Sequence, residues 1–591
     1  MSYRAPVSDM LATMRHVAGL DRLIADGLAP ELEGGVSEAV LEEAAKFAAD
    51  VLAPLNRIGD AHGSKLKDGA VTTPPGWKEA YKAWAEAGWN ALPAPEAYGG
   101  QALPTLLQSA CIEMWNSAAF AFALGPLLTV GAIEALHAHG SEELKQTYLA
   151  KLVSGEWMGT MNLTEPQAGS DLNALRSKAE RVGDGTYRIT GQKIFITYGE
   201  HDLTDNIVHL VLARLPDAPP GTRGISLFLV PKYLVNADGS LGAHNDLRCS
   251  GIEHKLGIHA SPTCSMAFGD KDGAIGWLIG EENRGLACMF TMMNNARLNV
   301  ALQGVAIAER AYQQALAFAH DRKQGAALDA PKGAPMSPII VHPDVRRMLM
   351  DMRAKTQGAR AISYLVAEAL DRSHRETDAG RQKVAAERAA ILTPVAKAYA
   401  TDMGIDVAST GVQVHGGMGF IEETGAAQHL RDARIAAIYE GTNGIQAIDL
   451  VTRKLPLSGG EAVKALIAEM RAVVGEVERA NTPGFGHSAA RLGAAVDALE
   501  RATDWMLATL GTSQADALAG ATPYLKLFAL AQGGTGLAKK ALATRSEAEG
   551  TADLATARFY AECLATEAPA LELAVTEGAG AIADAAAVFA A

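Results

Sequence analysis

The stretch IAAIYEGTNGIQ, residues 435–446, contains one acidic residue, Glu440, between an apolar run and a turn of glycine, threonine and asparagine. A carboxylate beside apolar side chains loses solvation, which raises its pKa and makes it a stronger base near neutral pH. The plainer alternative is a solvated glutamate at the corner of a helix or strand. The stretch therefore predicts either a general base in a dry pocket or a surface corner, and other motifs must decide.

Three further motifs have residue types suited to binding phosphate or a planar ring. MNLTEPQAGSD (161–171) contains a Gly-Ser-Asp turn whose backbone amides suit a phosphate, and GQKIFIT (191–197) is typical of a β-strand with one aromatic residue. QVHGGMGF (413–420) contains paired glycines, which lack a Cβ and so allow a phosphate to approach the backbone closely. It has no GxGxxG pattern, which argues against a nicotinamide site.

In this order and spacing, and with RDARIAAIYEGTNGIQ (431–446), the motifs resemble the acyl-CoA dehydrogenase family over about residues 36–455. The first residues, YRAPVSDMLATMRHVAGLD, and the C-terminal region resemble its longer bacterial subgroup. The resemblance implies FAD as cofactor and the oxidation of an acyl-CoA to a trans-2-enoyl-CoA. A carboxylate removes the α-proton, the β-hydride goes to flavin N5, and electron-transfer flavoprotein accepts the electrons.

By resemblance Glu440 is the catalytic base. Some relatives place a glutamate directly before the arginine that matches Arg297, but that position is Ala296 here and cannot take a proton. The family also implies contacts to the acyl-CoA, from Ser170, Asn294, Arg297 and Gly441. Asn294 replaces the family's usual aspartate.

The resemblance also assigns residues to FAD. Phe195 replaces the family's tryptophan. We expect it to be a packed aromatic residue on a β-strand, where it can shield the flavin ring. Arg322 and the glycine motif match residues that reach the FAD of a neighbouring subunit, so a homodimer or a dimer of dimers is expected. The full set of expected FAD contacts is Met161, Leu163, Thr164, Ser170, Phe195, Thr197, Arg322, Gln413, Gly416, Gly417, Thr442 and Gly444.

The length of the chain and its succession of helical and strand-like patterns predict an α+β multidomain protein. The 591 residues exceed what one core accommodates. We expect an N-terminal extension (1–35), an α-helical domain (36–157), a middle β-barrel or sandwich domain (158–280), a helical bundle domain carrying the base (281–455), and an additional C-terminal helical bundle (461–591). The last should contain four amphipathic helices, at roughly 461–480, 487–510, 513–542 and 553–588.

Composition limits the partners. The net charge of −14 argues against nucleic acid, and five scattered cysteines suit a reducing cytoplasm. The uncharged stretch 116–133 is interrupted by Gly125 and Pro126, so we expect core helices and no membrane span. His415 and His429 lack partners at metal-ligand spacing, so no metal site is expected.

The substrate and the acceptor stay open. The resemblance favours 3-methylmercaptopropionyl-CoA, as in dimethylsulfoniopropionate breakdown, or a short to medium straight-chain acyl-CoA. A broad-range fatty acyl-CoA dehydrogenase of β-oxidation and an acyl-CoA oxidase are alternatives with the same base. Some large relatives bind DNA in stress responses, but the net acidic C-terminal region here disfavours that role.

Overall fold

The structure is a computed structural model that describes residues 3–547 and 550–590, without the side chain of Asn294. The expected role of Asn294 in binding CoA therefore lies outside the described residues. Helices precede a β-sheet, and further helices follow it, so the predicted α+β class with an extra C-terminal helical region is confirmed.

The first helices surround one long, buried helix. This helix, α6 (Thr105–His139), has almost only buried residues, so it is apolar on all sides. Within the described residues it alone is long and apolar enough to cross a membrane, and 94% of its most apolar window is buried in the protein. Its one non-helical residue is Ala119, and the helix continues through Pro126, where we expected an interruption. The elements are α1 (Val7–Thr13), α2 (Leu20–Ala25), α3 (Val36–Phe47), α4 (Leu55–His62), β1 (Lys65–Lys67), β2 (Ala70–Thr72), α5 (Trp77–Glu86), α6 (Thr105–His139) and α7 (Glu142–Val153).

The middle region is a barrel with three strands added to it. Its strands are β3 (Trp157–Asn162), β4 (Lys178–Arg181), β5 (Tyr187–Thr197), β6 (Asn206–Arg214), β7 (Ile225–Pro231), β8 (Tyr233–Val235), β9 (Leu241–His244), β10 (Leu247–Ile252), β11 (Thr263–Phe268) and β12 (Ala274–Ile279). Pairing runs β5–β12–β7–β6–β4 and back to β5, which closes a ring. Strands β11 and β10 extend it beyond β5, and β3 pairs in parallel with β6. Strands β8 and β9 form a separate hairpin.

Three long helices form the next bundle. They are α8 (Gly285–Asp321), α9 (Pro343–Arg375) and α10 (Ala379–His415), followed by the short α11 (Ala426–Ala433) and α12 (Asn443–Asp449). Where α8 crosses α10, a Cβ on Gly304 would lie 2.2 Å from the carbonyl oxygen of Ala400. Only glycine allows the two backbones to approach this closely.

The C-terminal helices pack on this bundle, with α16 (Ala521–Thr544) against α9, α10 and α12. The single helix predicted at about 553–588 is divided, because Pro569 starts a new helix and Gly578 ends it. The helices are α13 (Glu461–Ala480), α14 (Ser488–Leu510), α15 (Gln514–Ala519), α16 (Ala521–Thr544), α17 (Gly550–Phe559), α18 (Ala568–Glu577), α19 (Ala579–Ala583) and α20 (Ala585–Phe589).

A buried group of charges, which we name the Arg360 cluster, joins both ends of the chain to the core. The guanidinium of Arg360 donates to Asp9 (2.6 Å), Glu113 (2.6 Å) and Glu309 (2.9 Å). Lys540 of α16 pairs with the same Asp9. The cluster therefore links α1 and α16 to α6, α8 and α9.

Candidate functional site

Glu440 lies in a tight reversal between the 3₁₀ turn 434–437 and helix α12. Its φ is +56°, and that of Gly441 is +88°. For a residue with a side chain, the left-handed conformation costs about 1–2 kcal/mol, so neighbouring groups must hold it. Thr442 caps α12 by accepting the N–H of Ile445 at 3.4 Å.

Lys397 of α10 is fully buried and holds this reversal from below. Its Nζ donates to the carbonyl of Gly441 and to Oδ1 of Asn443, both at 2.8 Å. The Nε2 of Gln446 donates to the carbonyls of Glu440 and Gly441, both at 3.3 Å. Two buried side chains thus fix the backbone around the candidate base.

Burial raises the pKa of Glu440 to about 7, although Arg297 and Lys397 act to lower it. Part of the residue's surface is still exposed, but the surrounding protein is dense enough for desolvation to dominate. Burial also lowers the pKa of Lys397 to about 8, against the opposing charge of Glu440. A carboxyl group that titrates near neutral pH has the strength that a general base requires.

Helix α8 contributes Arg297 and Gln303 to the same region. The guanidinium of Arg297 lies 6.0 Å from the ring centre of Phe290, and its Nε is buried without a hydrogen-bond partner in the described part of the chain. The hydroxyl of Tyr439, directly before Glu440, donates to Oε1 of Gln303. Burial and the charge of Glu440 raise the pKa of Tyr439 well above its usual range.

The structure places Arg297 close enough to Glu440 to lower its pKa, and Gly441 and Thr442 continue the same turn. Sequence reasoning missed Lys397 and Gln303. A lysine in the apolar run TPVAKAYA is a usable signal, since an ammonium there must find buried partners. Gln303 had no such signal, because an amide in a helix is usually exposed.

The other motif residues lie where β3 ends and β5 begins to bend. Met161 pairs with Leu210 in the sheet. The carbonyl of Leu163 accepts from Nζ of Lys193 at 3.0 Å, and that of Thr164 accepts the N–H of Ile194 at 2.9 Å. The loop after β3 is thereby fixed to β5.

A buried ion pair supports this loop. Lys193 and Glu165 are 2.8 Å apart, and both are buried. Burial alone would raise the pKa of Glu165, but Lys193 and nearby hydrogen bonds hold it at about 2. Burial lowers the pKa of Lys193 to about 8. Ser170, further along the loop, is exposed.

Phe195 differs from the expectation of a packed aromatic, because it is 58% exposed. The register between β5 and β11 shifts beside it, and its φ is +61°. A bulge of this kind turns a side chain away from the face that alternation predicts. Two residues later, Thr197 is half-buried and pairs with Thr263.

The remaining predicted residues lie at one end of the long helices. Arg322 caps the end of α8, and Gln413, Gly416 and Gly417 close α10; all four are exposed. The two helix ends touch, since the rings of Phe318 and His415 are 4.4 Å apart. Gly444, at the start of α12, is also exposed.

Four family models match the chain. They are "Acyl-CoA dehydrogenase, N-terminal domain" (36–156), "middle domain" (160–270) and "C-terminal domain" (283–455), and "Acetyl-CoA dehydrogenase C-terminal like" (466–586). The chain is 46% identical to 3-methylmercaptopropionyl-CoA dehydrogenase of Ruegeria pomeroyi, over 98% of each chain. The chain belongs to the acyl-CoA dehydrogenase family. As a member it is an oxidoreductase that uses FAD to dehydrogenate acyl-CoA thioesters.

Two further relatives of this acyl-CoA dehydrogenase differ in their sequence identity to it. It is 41% identical to a butyryl-CoA dehydrogenase of Syntrophomonas wolfei, over 73% of this chain and 72% of the relative. The solved acyl-CoA dehydrogenase of Bacillus anthracis complexed with FAD has a TM-score of 0.74 at 22% identity. The match covers 93% of this chain and 89% of the Bacillus chain. The latter likeness concerns the fold.

The residues present fit a flavin. Phe195 offers an uncovered aromatic face, and the half-buried Thr164 and Thr197 bring polar groups to the same bend of the sheet. An apolar face with hydrogen-bonding groups at its edge suits a planar heterocycle. The Lys193–Glu165 pair keeps the backbone of this bend in place.

Proposed function

We propose that this acyl-CoA dehydrogenase acts on short thioesters, with 3-methylmercaptopropionyl-CoA as the preferred substrate and Glu440 as the base. The observation that carries the proposal is a carboxyl group of raised pKa, held in a left-handed turn by buried side chains. The names of the Ruegeria and Syntrophomonas relatives support a short acyl group.

In the reaction the carboxylate of Glu440 takes the α-proton of the thioester. When bound, FAD supplies the acceptor for the β-hydrogen. Arg297 and Lys397 lower the pKa of Glu440, which keeps enough of it ionised before proton transfer. Burial keeps the pKa high enough for the carboxyl to hold the proton afterwards. Gly441, without a Cβ, leaves room for the thioester beside the turn.

For the cofactor, we propose that the bend of the sheet binds the flavin ring and that a second subunit completes the site. The proposed contacts within one chain are Met161, Leu163, Thr164, Ser170, Phe195, Thr197, Thr442 and Gly444. Those offered to a neighbour are Arg322, Gln413, Gly416 and Gly417, whose exposure supports this role. A homodimer or a dimer of dimers follows, and we propose Ser170 and Arg297 as CoA contacts.

We further propose electron-transfer flavoprotein as the acceptor and the cytoplasm as the location. The exposed Phe195 supports the first, because an acceptor needs access to the flavin edge. Buried free thiols, such as Cys249 and Cys264, support a reducing compartment. An acyl-CoA oxidase would instead release hydrogen peroxide in air, without an added acceptor.

We also propose the domain division given above, with the C-terminal bundle taking the place of a second pair of subunits. The packing of α16 on α9 and α10 supports it, because that face is then unavailable to another chain. Of the two assemblies, this arrangement favours the homodimer, so light scattering should give the mass of a dimer. A stable tetramer that buries the same helices would contradict this arrangement.

The decisive experiment is anaerobic bleaching of the bound flavin by a panel of acyl-CoAs. We expect short thioesters to bleach the wild type, while Glu440→Gln stays yellow and still binds them. Glu423→Gln, an exposed carboxyl changed in the same way, is the matched control and should behave as wild type. Equal bleaching of Glu440→Gln and the wild type would place the base elsewhere.

A further inference from the structure

Gln303 is a fully buried amide with one unsatisfied group. It is 0% exposed, and its Oε1 accepts the hydroxyl of Tyr439. Its Nε2 is buried without a hydrogen-bond partner in the described part of the chain. A buried donor without an acceptor costs about 1–3 kcal/mol, so a bound group that supplies an acceptor would be stabilised here.

The orientation of the amide follows from its neighbours. Tyr439 occupies the oxygen, so the nitrogen, on the other branch of the planar amide, needs a different acceptor. Asn295, Asn299 and Gln303 are spaced by four residues and share one face of α8. Nδ2 of Asn299 donates to Oδ1 of Asn295 at 2.5 Å, so that pair is bonded within the row. The free donor is thus at the end of the row that lies beside Tyr439.

This donor is close to the proposed chemistry. Tyr439 directly precedes Glu440 and connects the base to Gln303 through a single side chain. A short acyl group whose α-carbon lies at Glu440 extends only a few atoms beyond that carbon. An atom one bond beyond the β-carbon is the part of a short substrate that has to reach the buried amide for this donor to act on it.

We propose that Nε2 of Gln303 is the group that selects acyl chains with a lone-pair acceptor after the β-carbon, and that the substrate class is a 3-thioether acyl-CoA. The inference rests on the proposed function and adds to it the residue that distinguishes sulfur from methylene. A hydrocarbon chain leaves the donor unsatisfied, whereas a thioether sulfur accepts it weakly. Shape alone does not separate the two, since they are nearly isosteric.

The test compares 3-methylmercaptopropionyl-CoA with pentanoyl-CoA, in which a methylene replaces the sulfur. Because sulfur is a weak acceptor, we expect wild type to favour the thioether by roughly 10-fold in kcat/KM. Gln303→Leu should reduce this ratio to about one or invert it, mainly by improving pentanoyl-CoA. Gln303→Met, which keeps the side-chain length without the donor, tests the same point with a smaller change in shape.

Binding gives a second readout that does not need turnover. In the Glu440→Gln background, calorimetry should show the same preference in dissociation constants, and Gln303→Met should remove it. Gln532→Leu removes a buried amide from α16 and is the matched control, which should keep the wild-type ratio.

The outcomes distinguish a failure of this inference from a failure of the proposed function on which it rests. If wild type accepts both thioesters equally, or if the ratio survives both substitutions at Gln303, the assignment of Gln303 is wrong while the dehydrogenase function stands. If neither thioester bleaches the flavin of wild type, the proposed function itself fails.

Discussion

Replacing Lys397 by methionine removes a buried charge from beneath the Glu440 turn and two hydrogen bonds of 2.8 Å. Gln446 still donates to the carbonyl of Gly441, so the loss is partly compensated. We expect a fall in stability of about 2–4 kcal/mol, since each bond from an ammonium contributes about 1.5–3 kcal/mol.

The same change should shift the pH dependence of flavin reduction. Glu440 acts as a carboxylate, so the rate rises with pH through its pKa of about 7. Lys397 lowers that pKa, and its removal therefore moves the midpoint to higher pH. At an effective dielectric constant of about 20, two unit charges roughly 4 Å apart interact by about 4 kcal/mol, and by about half as much at twice that separation.

Partial exposure of Glu440 screens this interaction to about 1 kcal/mol, which corresponds to roughly 0.7 pH units. At pH 7 the rate should then fall by roughly threefold. The pKa of Lys397 itself is about 8, so the difference from wild type should shrink above that pH.

Stopped-flow measurement of anaerobic flavin reduction between about pH 5.5 and about pH 9 gives the midpoint of the pH profile. This range extends roughly two pH units on either side of neutrality. Lys397→Arg keeps the charge and should keep the midpoint. Lys540→Met removes another buried lysine, in the Arg360 cluster, and should lower stability without moving it. A midpoint that stays in place, or moves to lower pH, in Lys397→Met would refute the electrostatic reasoning.

Three further changes test other parts of the molecule. Arg360→Met should cost about 3–5 kcal/mol of stability in thermal unfolding, because it leaves buried carboxylates unpaired; an unchanged melting temperature would contradict this. Lys193→Met should weaken FAD binding by roughly 10-fold in fluorescence titration, since it leaves Glu165 buried without its cation; unchanged affinity would show that the loop needs no such support. Gly441→Ala should lower kcat by roughly 10-fold or more, because its Cβ would lie 2.7 Å from Nε2 of Gln446 at a φ of +88°; wild-type kcat would mean that the turn adapts.

Much of the fold could be predicted because periodicity and turn residues act locally. The change from helices to β-strands and back to helices follows from the residue patterns within each segment. Breaks within helices were harder to place. The sequence suggests an interruption at Pro126, yet α6 continues through it and departs from helical geometry at Ala119, because packing around a buried helix outweighs local preference.

The candidate site shows the same limit. Glu440 and Arg297 could be predicted because they stand in ordered motifs, but Lys397 acts through contacts with residues more than forty positions away. The exposure of Phe195 depends on a bulge between two strands, and alternation along one strand carries no information about it. Contacts between distant segments and irregular sheet pairing are therefore what the sequence alone did not reveal.

The Arg360 cluster also has a consequence for biosynthesis. Asp9 is among the first residues to leave the ribosome, yet its partner Lys540 follows 531 residues later. At 5–20 residues per second this interval is roughly 30–100 s. During that time Asp9 lacks one of its two cationic partners, since Arg360 is made earlier than Lys540. The Arg360 cluster is therefore complete only in chains that extend past Lys540.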